Sequence, residues 1–236
     1  DNELLKMMHD TGFVEVFVGV ESGNEEDLKL YNKFTTVEDN YKAIELLKKH
    51  GIFPIIGFIS FNPYSSRDTI SKNFEFLCNI ECTYLSNYLY SFVVINKYTD
   101  LYDKIKNDNL LIDTEDKYLD VSYKYQDCEI EKVLNYIRYE MLPKLKQIQY
   151  ELDWVTYSML EHEIWFKDIK DYSGVLEELK KDNIDIIKKY LGILFIEFDI
   201  EKFKNVEDEF WSYFTNQEHT LKKIYDYYIS LHNIIK

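Results

Sequence analysis

Two apolar runs of strand type, separated by one amphipathic helix, limit what this chain can become more than any other part of it. The first, Val14-Glu-Val-Phe-Val-Gly-Val-Glu-Ser-Gly-Asn24, alternates apolar residues and then places a carboxylate and a hydroxyl where the alternation stops. The second, Phe53-Pro-Ile-Ile-Gly-Phe-Ile-Ser-Phe-Asn-Pro63, ends in a polar turn at the corresponding level. Strands joined this way, about 40 residues apart with a helix between them, form a βαβ unit and run parallel. In barrel-type α/β folds the C-terminal ends of such strands meet the ligand, which singles out Glu21 and Ser22.

The surrounding sequence extends the pattern. A helix over Asn2 to His9 stops at Thr11-Gly12, where glycine suits a helix end. The first strand then puts Phe17, Gly19 and Glu21 on one face and Val14, Val16, Val18 and Val20 on the other. The valine face suits packing under helices, and the Gly19 and Glu21 face suits a ligand lumen. Thr35-Thr-Val-Glu38 reads as a capping box opening a helix that buries Val37, Tyr41, Ile44 and Leu47 before Gly51 stops it. Ser65-Ser-Arg-Asp68 caps the next helix, through Cys78. A third strand is expected over Tyr84 to Ile95, where Tyr84, Ser86, Tyr88, Tyr90 and Phe92 alternate with Leu85, Asn87, Leu89 and Val93. The order α-β-α-β-α-β implies an α/β fold with a parallel sheet.

Beyond Asn96 the character changes. Tyr98 to Gln126 is polar and irregular, with a short helix expected over Leu101 to Lys106. Four helical stretches follow: Ile130 to about Met141, a Pro143-initiated helix through Trp154 to Trp165, Val175 to Ile196, and Val206 to Ile235. This divides the chain into an α/β part, residues 1–97, and an all-α part, residues 98–236. In the last helix Leu221, Ile224, Tyr228, Leu231 and Ile235 form a stripe at three-and-four spacing, suited to a core or to a partner helix.

Composition narrows the function. With 21 Tyr and 15 Phe against 7 Gly and 3 Pro, tight turns are few and long helices are expected. A formal net charge of −15 argues against a nucleic-acid partner, which needs clustered Lys and Arg. The apolar run Tyr190 to Ile196 is too short to cross a bilayer. Three scattered cysteines give no disulfide framework, so a cytoplasmic address is expected. Cys78-Asn-Ile-Glu-Cys82 has C-x3-C spacing, but Leu85 stands where a third cysteine would complete an iron–sulfur triad. Cys78 also shares a helical face with Ile70, Phe74 and Leu77, which suits an inert buried thiol. His9, His50, His162, His219 and His232 show no metal-ligand spacing. Gly19-x3-Gly23 lacks the Lys-Ser/Thr of a P-loop and the third glycine of a dinucleotide fingerprint.

Taken together, Phe17-Val-Gly-Val-Glu-Ser-Gly-Asn24, Leu28-Lys-Leu-Tyr-Asn-Lys33, Thr36-Val-Glu-Asp-Asn-Tyr-Lys-Ala-Ile44 and His50-Gly-Ile-Phe-Pro-Ile-Ile-Gly-Phe-Ile-Ser-Phe-Asn-Pro63 resemble the second half of a radical S-adenosylmethionine (SAM) domain. The flavour is that of the group that often carries an upstream cobalamin-binding domain, and the resemblance covers about residues 1–95. It implies the C-terminal half of a partial (β/α)6 TIM-like barrel, strands four to six, followed by a helical domain. In that family a 4Fe–4S cluster, held by three cysteines of a C-x3-C-x2-C loop after the first strand, binds SAM and cleaves it reductively to a 5′-deoxyadenosyl radical. The chain opens at Asp1 within a helical pattern and has no such loop. It is therefore expected to be a fragment of an iron–sulfur oxidoreductase, inactive alone, whose parent binds SAM, the cluster and possibly cobalamin.

Residue by residue, the resemblance places Glu21 and Ser22 at the polar end of strand four, which reaches the SAM ribose or methionine moiety. Gly57 and Ile59 match the G-x-I-x-G segment of strand five, which lines the adenine. Phe61 stands at the second glycine of that motif. Asn62-Pro63-Tyr64-Ser65 replaces the commoner Pro-Gly-Glu-Thr turn, leaving Ser60 and Asn62 as further candidates. Glu21 has an alternative structural reading, as a carboxylate binding the Ser22-Gly23-Asn24 turn or capping the helix over Glu25 to Leu30. The acidic helical part favours a small-molecule, lipid or peptide substrate over tRNA. A half barrel leaves a sheet edge unpaired, to be covered by the helical part or by a second copy in a homodimer. A non-catalytic helical interaction module with a degenerate barrel half is the competing reading.

Overall fold

The computed structural model describes residues 1–112, 121–150 and 173–232. It is a mostly helical α/β structure with a two-stranded parallel sheet. Two compact units are formed, one of Asp1–Ile80 with Ser86–Tyr139, the other of Glu81–Leu85 with Glu140–Lys236.

In the first unit, α1 (Asn2–Asp10) leads into β1 (Glu15–Glu21), then α2 (Glu25–Leu30), α3 (Val37–Lys49), β2 (Phe53–Phe58) and α4 (Arg67–Asn79). The expected helix stops hold: Gly12 and Gly51 both take positive φ, +97° and +70°, just after α1 and α3. β1 and β2 pair in parallel, with Glu15 opposite Phe53 and Gly19 opposite Gly57. The register then slips, so that Glu21 lies opposite Phe58.

The valine face packs inward fully only at its end: Val14, Val16 and Val18 are half-buried. Val20 is fully buried, with Ile44 and Leu47 of α3 and Phe58 and Phe76 among the buried side chains. The Phe58 and Phe76 rings stack with centroids 5.9 Å apart, and Tyr41 tilts against Phe76 at 4.6 Å. Each such ring contributes a large apolar area to the core. The opposite face is open: Phe17 is 68% exposed.

Two helix starts differ in detail from the sequence reading. The box of α3 uses Thr36 as N-cap with Asp39, one residue later than Thr35 with Glu38. The box of α4 uses Ser66 with Thr69. The larger difference is the third strand. Residues 85–89 form a helical turn, α5 (Leu85–Leu89), and only Phe92 bridges in parallel, to Phe61. The cause lies in the residues themselves: Leu85, Tyr88 and Leu89 are all buried and stand at i, i+3 and i+4. That spacing overrides the alternation. The unit continues through α6 (Asp100–Asn107), as expected, and α7 (Cys128–Tyr136).

A π-helical turn over Ile137–Met141 carries the chain from α7 into α8 (Leu142–Tyr150). Pro143 therefore lies within a continuous helical run and does not initiate a helix as expected, and the wider π-helical turn just before it is where the missing N–H is accommodated. The second unit adds α9 (Ser173–Phe195), α10 (Ile200–Lys204) and α11 (Glu207–His232). Its core is an aromatic chain in which Phe210 meets Phe203 at 5.6 Å, Phe214 at 4.9 Å and Tyr190 at 5.9 Å. Leu221 and Ile224 of the α11 stripe are buried, so at these positions the stripe is core. The Trp154 to Trp165 stretch and Ile235 lie outside the described residues. No described helix is long and apolar enough to cross a membrane.

Candidate functional site

The end of β1 is built to hold a carboxylate. Glu21 takes a left-handed backbone, φ 66°, at the register slip. A non-glycine residue there is strained by roughly 1–2 kcal/mol, so the surroundings must enforce it. Part of that enforcement is visible: Ile59 N donates to the Glu21 carbonyl at 2.8 Å, tying the extension of β2 to the turn. The Glu21 side chain folds back over Gly19. A Cβ on Gly19 would lie 2.8 Å from Glu21 Oε1 and 3.4 Å from Lys33 Nζ, so the missing side chain is the carboxylate's resting place. Opposite, Gly57 is covered by the Phe17 ring, whose Cζ would lie 2.6 Å from an added Cβ.

Glu21 and Lys33 form an ion pair, Oε1 to Nζ 3.0 Å, with side chains 23% and 36% exposed. They line a cavity of about 300 Å³ together with Tyr31 and Ile59. Its other wall is the chain from Val93 to Leu101, where Asn96, Thr99 and Asp100 add polar groups to Val93, Val94, Ile95 and Leu101. Asn32 Nδ2 donates to Asp100 Oδ2 at 2.9 Å across this edge.

Beneath the cavity lies a second, fully internal polar cluster centred on Asp27. Its Oδ2 accepts from Asn24 Nδ2 at 2.7 Å and Asn73 Nδ2 at 3.1 Å, and its Oδ1 accepts from Asn62 Nδ2 at 2.7 Å. Ser22, fully buried, lies with its hydroxyl 2.8 Å from Asn73 Oδ1 and 3.1 Å from Asp27 Oδ2. Asn24 caps α2 by accepting from Asp27 N at 2.9 Å. Buried polar groups survive only when satisfied in this way. Asn62 joins the two layers, since its Nδ2 also donates to the Tyr31 hydroxyl oxygen at 2.9 Å. Burial, and then the Asp27 charge, push the Tyr31 phenol far above its usual range, so it stays protonated.

The structure thus brings Glu21 and Ile59 together at one cavity. Ser22 and Asn62 sit in the internal cluster instead, and Gly57 lies under Phe17. Ser60 is buried, its hydroxyl donating to the Asn87 carbonyl. The capping role open to Glu21 is filled by Asn24. Sequence reading missed Asp27, Tyr31, Lys33 and Asn73. Only the cap pattern Asn24-x-x-Asp27 could have signalled one of them.

No family model matches the chain. It is 34% identical over 155 residues to 4′-phospho-dehydrooxetanocin synthase of Priestia megaterium, an alignment covering 61% of this chain and 20% of that protein. It is also 34% identical over 75 residues to anaerobic magnesium-protoporphyrin IX monomethyl ester cyclase of Cereibacter sphaeroides, covering 32% of the chain and 12% of the relative. The fold is similar to that of the cobalamin-dependent S-adenosylmethionine radical enzyme OxsB with aqua-cobalamin bound. That match has TM-score 0.59 and 15% identity, and covers 94% of this chain and 39% of the other. The match to the same enzyme with aqua-cobalamin and S-adenosylmethionine bound has TM-score 0.57 and 16% identity, covering 99% of this chain and 39% of that one. The chain is thus related in sequence to that synthase and that cyclase, and similar in fold to a cobalamin-dependent S-adenosylmethionine radical enzyme. It spans about a fifth or less of the length of the curated relatives it matches.

The residues present fit the two expected groups differently. The cavity sets the Glu21 and Asp100 carboxylates, the Lys33 ammonium and Tyr31 beside apolar side chains, which suits a charged ligand with an apolar face, as SAM is. Among the described residues no three His, Cys, Asp or Glu side chains converge as metal ligands. Cys78 and Cys82 are buried. A 4Fe–4S cluster does not fit here.

Proposed function

We propose that this chain supplies part of the SAM-binding wall of a radical SAM oxidoreductase of cobalamin type, and that the cluster ligands belong to a segment preceding Asp1. One observation carries the reading: Glu21 and Ile59, at the ends of adjacent parallel strands, open onto the same cavity. That is where α/β folds of this kind bind their ligands. The parent enzyme would reductively cleave SAM to modify a small-molecule, lipid or peptide substrate, with cobalamin as a further cofactor. In this reading Glu21 accepts hydrogen bonds from the ligand, Lys33 balances its charge, and Ile59 packs against the base.

SAM affinity of the full-length protein tests this by calorimetry. Glu21→Ala should weaken binding by about ten- to a hundredfold, the worth of a charge-assisted hydrogen bond. Unchanged affinity would take Glu21 out of the site.

The competing reading, a non-catalytic helical interaction module, draws on one departure. Asn62, where the family turn usually begins, is committed to Asp27, Tyr31 and the Tyr64 N–H, which donates to its Oδ1 at 2.8 Å. A wild-type protein that binds no SAM favours that module.

A further inference from the structure

Residues 96–109, which supply part of the cavity wall, are attached like a flap. Both ends are tied to one short segment: Val121 N donates to the Ile95 carbonyl at 3.1 Å, and Lys124 N to the Leu110 carbonyl at 2.8 Å. The chain therefore leaves and returns at one place, as an Ω-type loop does, with α6 in its middle. The helix is closed off by its own bonds. Thr99 Oγ1 accepts from Tyr102 N at 3.2 Å, and Leu110 N donates back to the Ile105 carbonyl at 2.9 Å. α6 can thus move without unwinding.

Little holds it down. Ile105 is the one buried side chain of α6, whereas α4 buries seven. Two polar contacts are exposed: Asn32 Nδ2 to Asp100 Oδ2 beside the cavity, and, at the far end, the Tyr64 hydroxyl, which donates to Asp108 Oδ2 at 2.7 Å. Sparse apolar burial and solvent-exposed hydrogen bonds are the marks of an element that opens locally. The flanks are placed as hinges. Tyr98 and Asn109 take left-handed backbone, φ 71° and 58°, and Tyr98 is 89% exposed, so no packing enforces its strain. Asp100 and Leu101 of α6, with Asn96 and Thr99 before it, line the cavity that Glu21 and Lys33 line from the other side.

We propose that residues 96–109 are a movable wall of this cavity, swinging out as a unit about Tyr98 and Asn109 to let the ligand pass. The ligand's identity rests on the reading of the cavity as a SAM site; the motion does not. The Tyr64 hydroxyl is a latch at a distance from the ligand, since Tyr64 does not line the cavity.

Native-state hydrogen exchange on the full-length protein, with SAM dissociation measured without reductant, tests this. The amides of α6 should exchange as a group, at least about tenfold faster than those of α4. Tyr64→Phe keeps the ring under Lys104, whose Nζ lies 4.2 Å from its centroid, and removes only the bond to Asp108. It should speed α6 exchange about three- to tenfold, leave α4 unchanged, and speed SAM dissociation by the same factor. Exchange of α6 at the rate of α4, or faster exchange with unaltered dissociation, would overturn the movable wall and leave the SAM site standing. Should the variant fail to fold, wild type decides: SAM at ten times its Kd should slow α6 exchange about tenfold, and unslowed exchange overturns the wall. A wild type that binds no SAM would bring down the reading of the cavity instead, and the rates of α6 against α4 would still decide whether the wall opens.

Discussion

Glycine positions show how single atoms divide labour between site and core. Gly19 and Gly23 stand four residues apart, yet a methyl group at each would meet different things. At Gly19 it would meet the far ends of Glu21 and Lys33, side chains free to swing away. At Gly23 it would lie 2.3 Å from Phe76 Cβ and 3.3 Å from the Lys72 carbonyl, neither of which can move without disturbing α4. Gly19→Ala should therefore leave the melting temperature nearly unchanged while displacing the carboxylate and weakening SAM binding. Gly23→Ala should cost about 1–3 kcal/mol of stability, the usual cost of overpacking a filled core. Paired thermal melts and SAM titrations on the two variants check this, and the opposite ranking in stability would refute it.

Elements are legible where one periodicity is unopposed. β1 follows from alternation and β2 from a short apolar run, each closed by polar residues, and α3 and α4 follow from their caps and apolar faces. The expected strand over Tyr84 to Ile95 failed because Leu85, Tyr88 and Leu89, split between two faces by the alternation, share one face at helical spacing, and all three are buried. The cap of α3 moved by one residue because Thr36 and Asp39 complete the reciprocal box. The Asp39 carboxylate accepts from Thr36 N at 3.0 Å and from its hydroxyl at 2.7 Å. These two hydrogen bonds, the hydroxyl's first, hold the Asp39 carboxyl below its ordinary value. A folded pKa lower than the unfolded one gives stability that is present above the unfolded pKa and lost as pH falls through the folded one. Thr36→Ala should cost about 1 kcal/mol at neutral pH, a drop of a few degrees in melting temperature. Melts of wild type and variant at descending pH should draw closer as Asp39 protonates, leaving the part of the gap supplied by the Asp39 N–H bond to the Thr36 hydroxyl oxygen. A gap that stays constant into strong acid would contradict the box.

Across the whole molecule, what could be read in advance was what is encoded locally. Glu21 and Ile59 were found because each ends a strand, and strand ends in a parallel sheet share a level. Lys33 and Tyr31 come to the same place, with Asp27 beneath them, only because α2 folds back beside β1, and no local spacing announces that. The cysteines obey the same logic in reverse: C-x3-C spacing at Cys78 and Cys82 suggests chemistry, but the helical face of α4 and the turn after it bury both thiols. Cys78 Sγ lies 3.9 Å from the Tyr88 hydroxyl within that core, while Cys128, at the start of α7, is exposed. Thiol reactivity follows exposure and thiolate character, so the three should separate sharply in rate. In the native 236-residue chain, a chromogenic disulfide reagent should titrate one thiol quickly and the other two only as the protein unfolds; in denaturant all three should react together. Anaerobic incubation of the same chain with iron and sulfide should give no absorption of a 4Fe–4S cluster, since among the described residues no third ligand joins the buried pair. Two fast thiols, or a stoichiometric cluster, would mean that the segment around Cys78 and Cys82 opens in solution, and the division of the proposed site between this chain and a preceding segment would then be wrong.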